Sequence, residues 1–135
     1  MAKIELKFSV DLESPIAVYV QIENQIQFAI ASEKIKPGET LPSVRDMSEM
    51  LKINPNTVTK SYRDLELLQL VTTRRGVGVS VTEKAPKLCK TRVTALVKSH
   101  LKDSVSECLA AGFSAAEVRK MVAEVIESGA LPYQG

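Results

Sequence analysis

The chain has no tryptophan, and phenylalanine and tyrosine together supply only 4% of its residues, so aliphatic side chains have to build its core. It has one histidine, His100, and two cysteines, Cys89 and Cys108, with no Cys-x-x-Cys spacing. That leaves a closed zinc site without its ligand set, and the cysteines read as reduced, partly buried thiols. No run approaches the roughly 20 apolar residues that span a bilayer, and the opening MAKIELKFSVDLES mixes acids into an alternating pattern unlike a secretory signal. A cytoplasmic protein with no membrane partner is expected. No nucleophile–base pair and no phosphate-cradling loop is present, since Gly76-Val77-Gly78 follows a strand-like run but opens no helix. The reading is therefore of a non-enzyme without cofactor or metal.

Excess charge is missing too. The formal net charge is +2 over 135 residues, and basic and acidic residues balance one for one up to Thr82. Placement carries more than the sum: acids concentrate between Glu5 and Glu39, whereas Lys52, Lys60, Arg63, Arg74 and Arg75 follow them. A chain of this length makes one ordinary domain, or a small one with an appendage.

What is present is an ordered set of helix and turn signals. Ile4, Leu6, Phe8 and Val10 alternate with polar residues and predict a short N-terminal strand. Ser14-Pro15 reads as a cap and first helical position, with Val18, Ile22, Ile26 and Ala29/Ile30 as the buried stripe of a helix reaching Ser32. Lys36-Pro37-Gly38 predicts a turn. Ser43 with Asp46 caps a short second helix whose inner face is Val44, Met47, Met50 and Leu51. After a tight turn over Lys52 to Asn54, Asn54-Pro55 repeats the cap-and-proline logic and starts a third helix ending near Leu68.

At 100° per residue that third helix divides into two faces. Val58, Tyr62 and Leu65 share one side, which is core; Asn56, Thr59, Lys60 and Arg63 share the other, polar and basic. Leu70 to Thr73 and Val77 to Val81 are β-prone runs around Arg74-Arg75-Gly76, a hairpin whose tip Gly76 and Gly78 permit. Residues 83–90, with Pro86 and several lysines, read as a linker. Val93, Leu96, Val97, Leu101, Val105 and Leu109 then mark a long amphipathic helix stopped by Gly112, and Ser114 with Glu117 caps another whose apolar face is Val118, Met121, Val122, Val125 and Ile126. Two such helices cover each other only in part, so a second copy of the chain is the expected cover.

The run from Pro15 to Val81 resembles the DNA-binding domain of the GntR family of bacterial transcription regulators, through Pro37-Gly38, Leu41-Pro42-Ser43, Arg45, Asn56-Thr57-Val58, Tyr62, Leu65-Glu66 and Gly76-x-Gly78. The short two-helix tail is similar to the YtrA type, the smallest branch of that family. Glu33 and Gln69 stand where the family often has glycine, and Ser80 where an aromatic usually follows the wing glycines. The resemblance implies DNA contacts from Arg45, Asn56, Thr57, Thr59, Arg75 and Gly76. Periodicity alone nominates Asn56, Thr59, Lys60 and Arg63, of which Lys60 and Arg63 suit phosphates and Asn56 suits an adenine edge.

The fold expected is mainly α with a small β hairpin: an arm over residues 1–13, a winged helix-turn-helix over 14–82, a linker over 83–90 and a two-helix dimerisation segment over 91–135. The function expected is a homodimeric repressor on a palindromic double-stranded DNA operator; the alternative is a winged-helix module that binds a protein and no DNA. Any small-molecule effector would have to bind between the C-terminal helices or at the subunit interface. Simpler roles stand beside these: Asn54 as an N-cap, Arg45 paired with Asp46 or Glu49, Tyr62 in the core, and His100 as an ordinary helix residue.

Overall fold

The computed structural model describes residues 7–129 and falls into two compact units that divide between Val93 and Thr94. The first carries α1 (Val18–Ala31), α2 (Val44–Leu51), α3 (Pro55–Leu67) and an antiparallel hairpin of β1 (Val71–Arg74) and β2 (Gly78–Val81). α4 (Ala85–Ala110) begins in the first unit and runs into the second, which α5 (Ala115–Glu127) completes. The winged helix-turn-helix fold read from the sequence is present, followed in the chain by two C-terminal helices.

The core of the first unit is aliphatic, as the shortage of aromatics requires. Ile22, Ile26 and Ile30 of α1, Met47 of α2 and Val58 and Leu65 of α3 are all fully enclosed, joined by Ile35, Leu70, Val71 and Val81. Tyr62 is buried among them, and its hydroxyl donates to the Pro42 carbonyl at 2.6 Å, so its one polar atom is satisfied and the ring serves packing. Ser61 is also enclosed; its hydroxyl donates to the Tyr19 carbonyl of α1 at 2.9 Å, tying α3 to α1. The apolar side of α3 is the one its periodicity gave.

Four local readings need correction. α1 starts at Val18, not at Ser14-Pro15: the Ser14 hydroxyl accepts from the Ile16 N–H, and Gln21 holds the preceding turn by donating to the Asp11 and Ile16 carbonyls and accepting from the Asp11 N–H. The N-terminal strand is absent over its described part. Ser9 and Asp11 satisfy backbone groups with the side-chain amides of Gln25 and Gln21, so an extended segment lies on α1 with Phe8 buried, and Ile4 and Leu6 lie outside the described residues. Met50 is exposed, and Ser48 takes the inner position on α2. The stretch read as a linker over residues 83–90 is helical from Ala85, with Ala85 and Cys89 enclosed in the first core; Pro86 is tolerated because the first helical turn needs no N–H partner.

Two turns are built without the residue best suited to them. Glu33 after α1 and Gln69 after α3 both adopt φ of 65°, the left-handed region that glycine enters freely. Lys52, closing α2, does the same at 55°.

In the second unit Gly112, at φ 96°, ends α4, and Ser114 and Glu117 form the reciprocal capping box that opens α5. The bond from Ser114 holds the Glu117 carboxyl below the usual range. Val118 is buried within the single chain, while Val97, Leu101, Leu109, Met121, Val122, Val125 and Ile126 are exposed. Val93, Leu96 and Val105 are half-buried.

Candidate nucleic-acid interface

The candidate reading face begins with the turn into α3. Asn54 spends its side-chain oxygen on the Asn56 N–H at 2.8 Å, and Pro55 follows at the first helical position, so the helix starts where those residues dictate. Asn54 is thus a cap. Asn56 next to it is exposed with its own amide turned to no described partner, and an amide of this kind can bond two atoms of one base edge. Thr57 and Thr59 are half-buried; the Thr59 hydroxyl donates back to the Pro55 carbonyl at 3.1 Å and leaves its methyl and lone pairs on the surface.

One turn on, Lys60 and Arg63 are exposed. Lys60 is not loose: its ammonium bonds the Asp64 carboxylate at 3.3 and 3.5 Å and stands 4.7 Å from the centre of the Tyr19 ring on α1. Sequence reasoning missed Tyr19 and Asp64 as neighbours of this lysine, although the four-residue step from Lys60 to Asp64 signals the ion pair. Nothing in the sequence signals Tyr19.

Arg45, at the second position of α2, pairs with Glu49 at 3.2 Å, the simpler role noted for it. Both side chains are highly exposed, 85% and 66%, and a pair so wet contributes about 1 kcal/mol or less, so a phosphate can displace it at little cost. The wing is a three-residue loop, Arg75-Gly76-Val77, between Arg74 and Gly78, which face each other in the ladder. Gly76 and Gly78 take φ of 79° and 107°, and all three loop residues are exposed.

The wing is fixed to the helix it accompanies. The Glu66 carboxylate of α3 accepts the Thr73 N–H at 3.0 Å, and Thr40 bridges to Ser80 while Leu41 donates to Val79 at 2.8 Å, adding residues 38–41 as a third strand-like edge. Ser80, in the place of the usual aromatic, is buried against that edge. Asn56, Thr57, Thr59, Lys60, Arg63, Arg45, Arg75 and Gly76 therefore belong to one compact unit, on the helix-turn-helix and the hairpin beside it.

Residues 18–81 match the family described as bacterial regulatory proteins, gntR family. The chain is 30% identical to the HTH-type transcriptional repressor YtrA of Bacillus subtilis over 116 residues, 86% of this chain and 89% of that protein. The chain belongs to the GntR family. It is also 42% identical over 73 residues to the uncharacterized HTH-type transcriptional regulator YhcF of the same bacterium, an alignment spanning 54% of this chain and 60% of that one. A solved GntR family transcriptional regulator from Listeria monocytogenes superimposes with a TM-score of 0.71 at 26% identity, covering 86% of this chain and 99% of its own. The likeness to YtrA and to the Listeria regulator extends past the winged helix into the two C-terminal helices, so this GntR chain is of the YtrA type. No helix among the described residues is long and apolar enough to cross a membrane.

Proposed function

We propose that this GntR-family transcriptional regulator is a cytoplasmic homodimeric repressor that places α3 of each copy in a major groove and the wing across the adjacent minor groove of a palindromic operator. Half-sites about one helical turn apart follow from one reading head per copy. The observation that carries this reading is the outward face of α3: Asn56, Lys60 and Arg63 are exposed and Thr59 is half-buried, opposite the buried Val58, Tyr62 and Leu65, so the core does not claim the polar face. Asn56 reads a base edge; Thr57 and Thr59 add short contacts; Lys60, Arg63, Arg45 and Arg75 meet phosphates, and Gly76 lets the wing tip come close to the backbone. The relative named a repressor, YtrA, supports the sign of regulation.

The exposed apolar residues of the second unit support the dimer. Leu101 and Leu109 of α4 and Met121, Val122, Val125 and Ile126 of α5 are all exposed in the second unit, and a second copy of the chain covers them. Any effector acts by preferring one spacing of the two heads over another.

A mobility shift at moderate salt with the DNA upstream of the chain's own gene tests this. A discrete complex that survives competitor DNA is expected. Protein capture by the hairpin edge with no shift on any duplex would instead make the chain a protein-interaction module.

A further inference from the structure

α1 and α3 pack against each other, and at the first turn of α1 that packing places an aromatic ring beside a charge on the candidate reading face. Tyr19 is the second residue of α1, and its backbone is held from two sides. The Gln21 side chain fixes the turn before it by donating to the Asp11 and Ile16 carbonyls, and the enclosed Ser61 hydroxyl of α3 donates to the Tyr19 carbonyl at 2.9 Å. Ser61 directly follows Lys60, so the hydrogen bond that joins the two helices also brings the half-buried Tyr19 up to that lysine. The Lys60 ammonium stands 4.7 Å from the centre of the Tyr19 ring, and it also donates to the Asp64 carboxylate at 3.3 and 3.5 Å.

These two partners act on the ammonium differently. Asp64 offsets its charge and competes with any other anion for its N–H groups. That pair is loose: its bonds exceed the roughly 2.7–2.9 Å of a tight ammonium–carboxylate contact, and the Lys60 side chain is half exposed. The ring is uncharged, attracts a cation through its negative face, and leaves the charge in place for a phosphate. An ammonium drawn off Asp64 by a phosphate can therefore stay on the ring.

We propose that Tyr19 is a positioning residue for DNA binding: its ring holds the Lys60 ammonium at one place on the face of α3 before DNA arrives, and keeps it there while its charge passes from Asp64 to a phosphate. This rests on Lys60 meeting a phosphate, as proposed above. A lysine has a long, flexible stem, and immobilising such a side chain on binding costs about two- to tenfold in affinity. Where the ring already holds the ammonium, part of that cost falls on folding instead of on binding. Tyr19 thus strengthens the complex by way of Lys60 and adds no charge to the interface.

The test is a double-mutant cycle on one duplex, the DNA upstream of the chain's own gene, titrated at several salt concentrations. Tyr19→Leu is expected to weaken binding about two- to fivefold, while the slope of log affinity against log salt stays that of the natural chain because no charge is lost. In a Lys60→Met background the same change should have no effect, since the group that the ring positions is gone. Tyr19→Phe keeps the ring without its hydroxyl and should bind like the natural chain. Unchanged affinity in Tyr19→Leu overturns the proposal. So does an equal loss in both backgrounds, which marks a purely structural role, and so does a loss in Tyr19→Phe as large as in Tyr19→Leu, which puts the hydroxyl itself on DNA. Should Tyr19→Leu not fold, proton NMR of the natural chain decides. Ring-current shielding of the Lys60 ε-methylene, identified by its loss in Lys60→Met and kept when the duplex is added, supports the seat; an unshifted Lys60 in a chain that binds the duplex overturns the proposal alone. Absence of any duplex binding by the natural chain would sink the DNA reading, and this proposal with it.

Discussion

At the scale of single residues, two kinds of side chain share the outward face of α3, and they should fail differently. Asn56 is an uncharged amide in the open, so its loss would remove the proposed base contact; Lys60 is a charge seated on Asp64, so its loss would remove the proposed phosphate contact. Asn56→Ala is expected to cost about 1–3 kcal/mol on the best site and little on other DNA. Lys60→Ala should weaken binding to every sequence alike and lower the dependence of log affinity on log salt by roughly one ion. Titration of specific and scrambled duplexes at three salt concentrations separates them, and an equal loss on both duplexes for Asn56→Ala would remove its base-reading role. Burial of Cys89 pushes its thiol up to about 11, which makes it a packing group rather than a reactive one.

At the scale of elements, the parts legible in the sequence are those whose chemistry is local. Ser43, Asn54-Pro55 and the Ser114/Glu117 box each satisfy backbone N–H groups within three residues, so the starts of α2, α3 and α5 could be read directly. The faces of α3 followed from its period, because every residue on its inner side meets the same core. What could not be read depends on distant partners. Ser14-Pro15 has the signature of a helix start, yet Gln21 and Gln25 capture the preceding backbone and move the start to Val18. The first turn of α4 looks like a linker because only the core decides that Ala85 and Cys89 are enclosed. The Tyr19 ring beside the Lys60 ammonium joins residues far apart in the chain, and no spacing announces it.

The same scale carries a prediction about turns. Glu33 and Gln69 pay for a left-handed backbone at the ends of α1 and α3, where the family resemblance already marked glycine as usual. Such a conformation costs a non-glycine residue about 1–2 kcal/mol, offset in part by the greater freedom glycine has when unfolded. Glu33→Gly is expected to raise stability by about 0.5–1 kcal/mol in urea unfolding, with no change in slope. Gln69→Gly should gain less, because the Gln69 side chain accepts from Lys84 at 2.8 Å and that contact is lost. A destabilised Glu33→Gly would mean that its side chain, not its backbone, decides that turn.

At the scale of the whole molecule, a net charge of +2 cannot hold a polyanion by bulk attraction. Binding has to come from where a few cations sit and, in the proposed dimer, from two reading heads instead of one. The winged helix supplies the cations: Lys60 and Arg63 on α3, Arg45 on α2, Arg75 on the wing. The exposed apolar residues of α4 and α5 would supply the pairing surface of the proposed dimer. These two requirements meet in a single measurement, selection of bound sequences from random duplex DNA by the purified chain. The expected result is an enriched palindrome whose half-sites lie about one helical turn apart, with the strongest base preference at the positions facing Asn56. Enrichment of a lone half-site would contradict the dimer, and no enrichment over the starting pool would contradict the claim that this chain reads DNA.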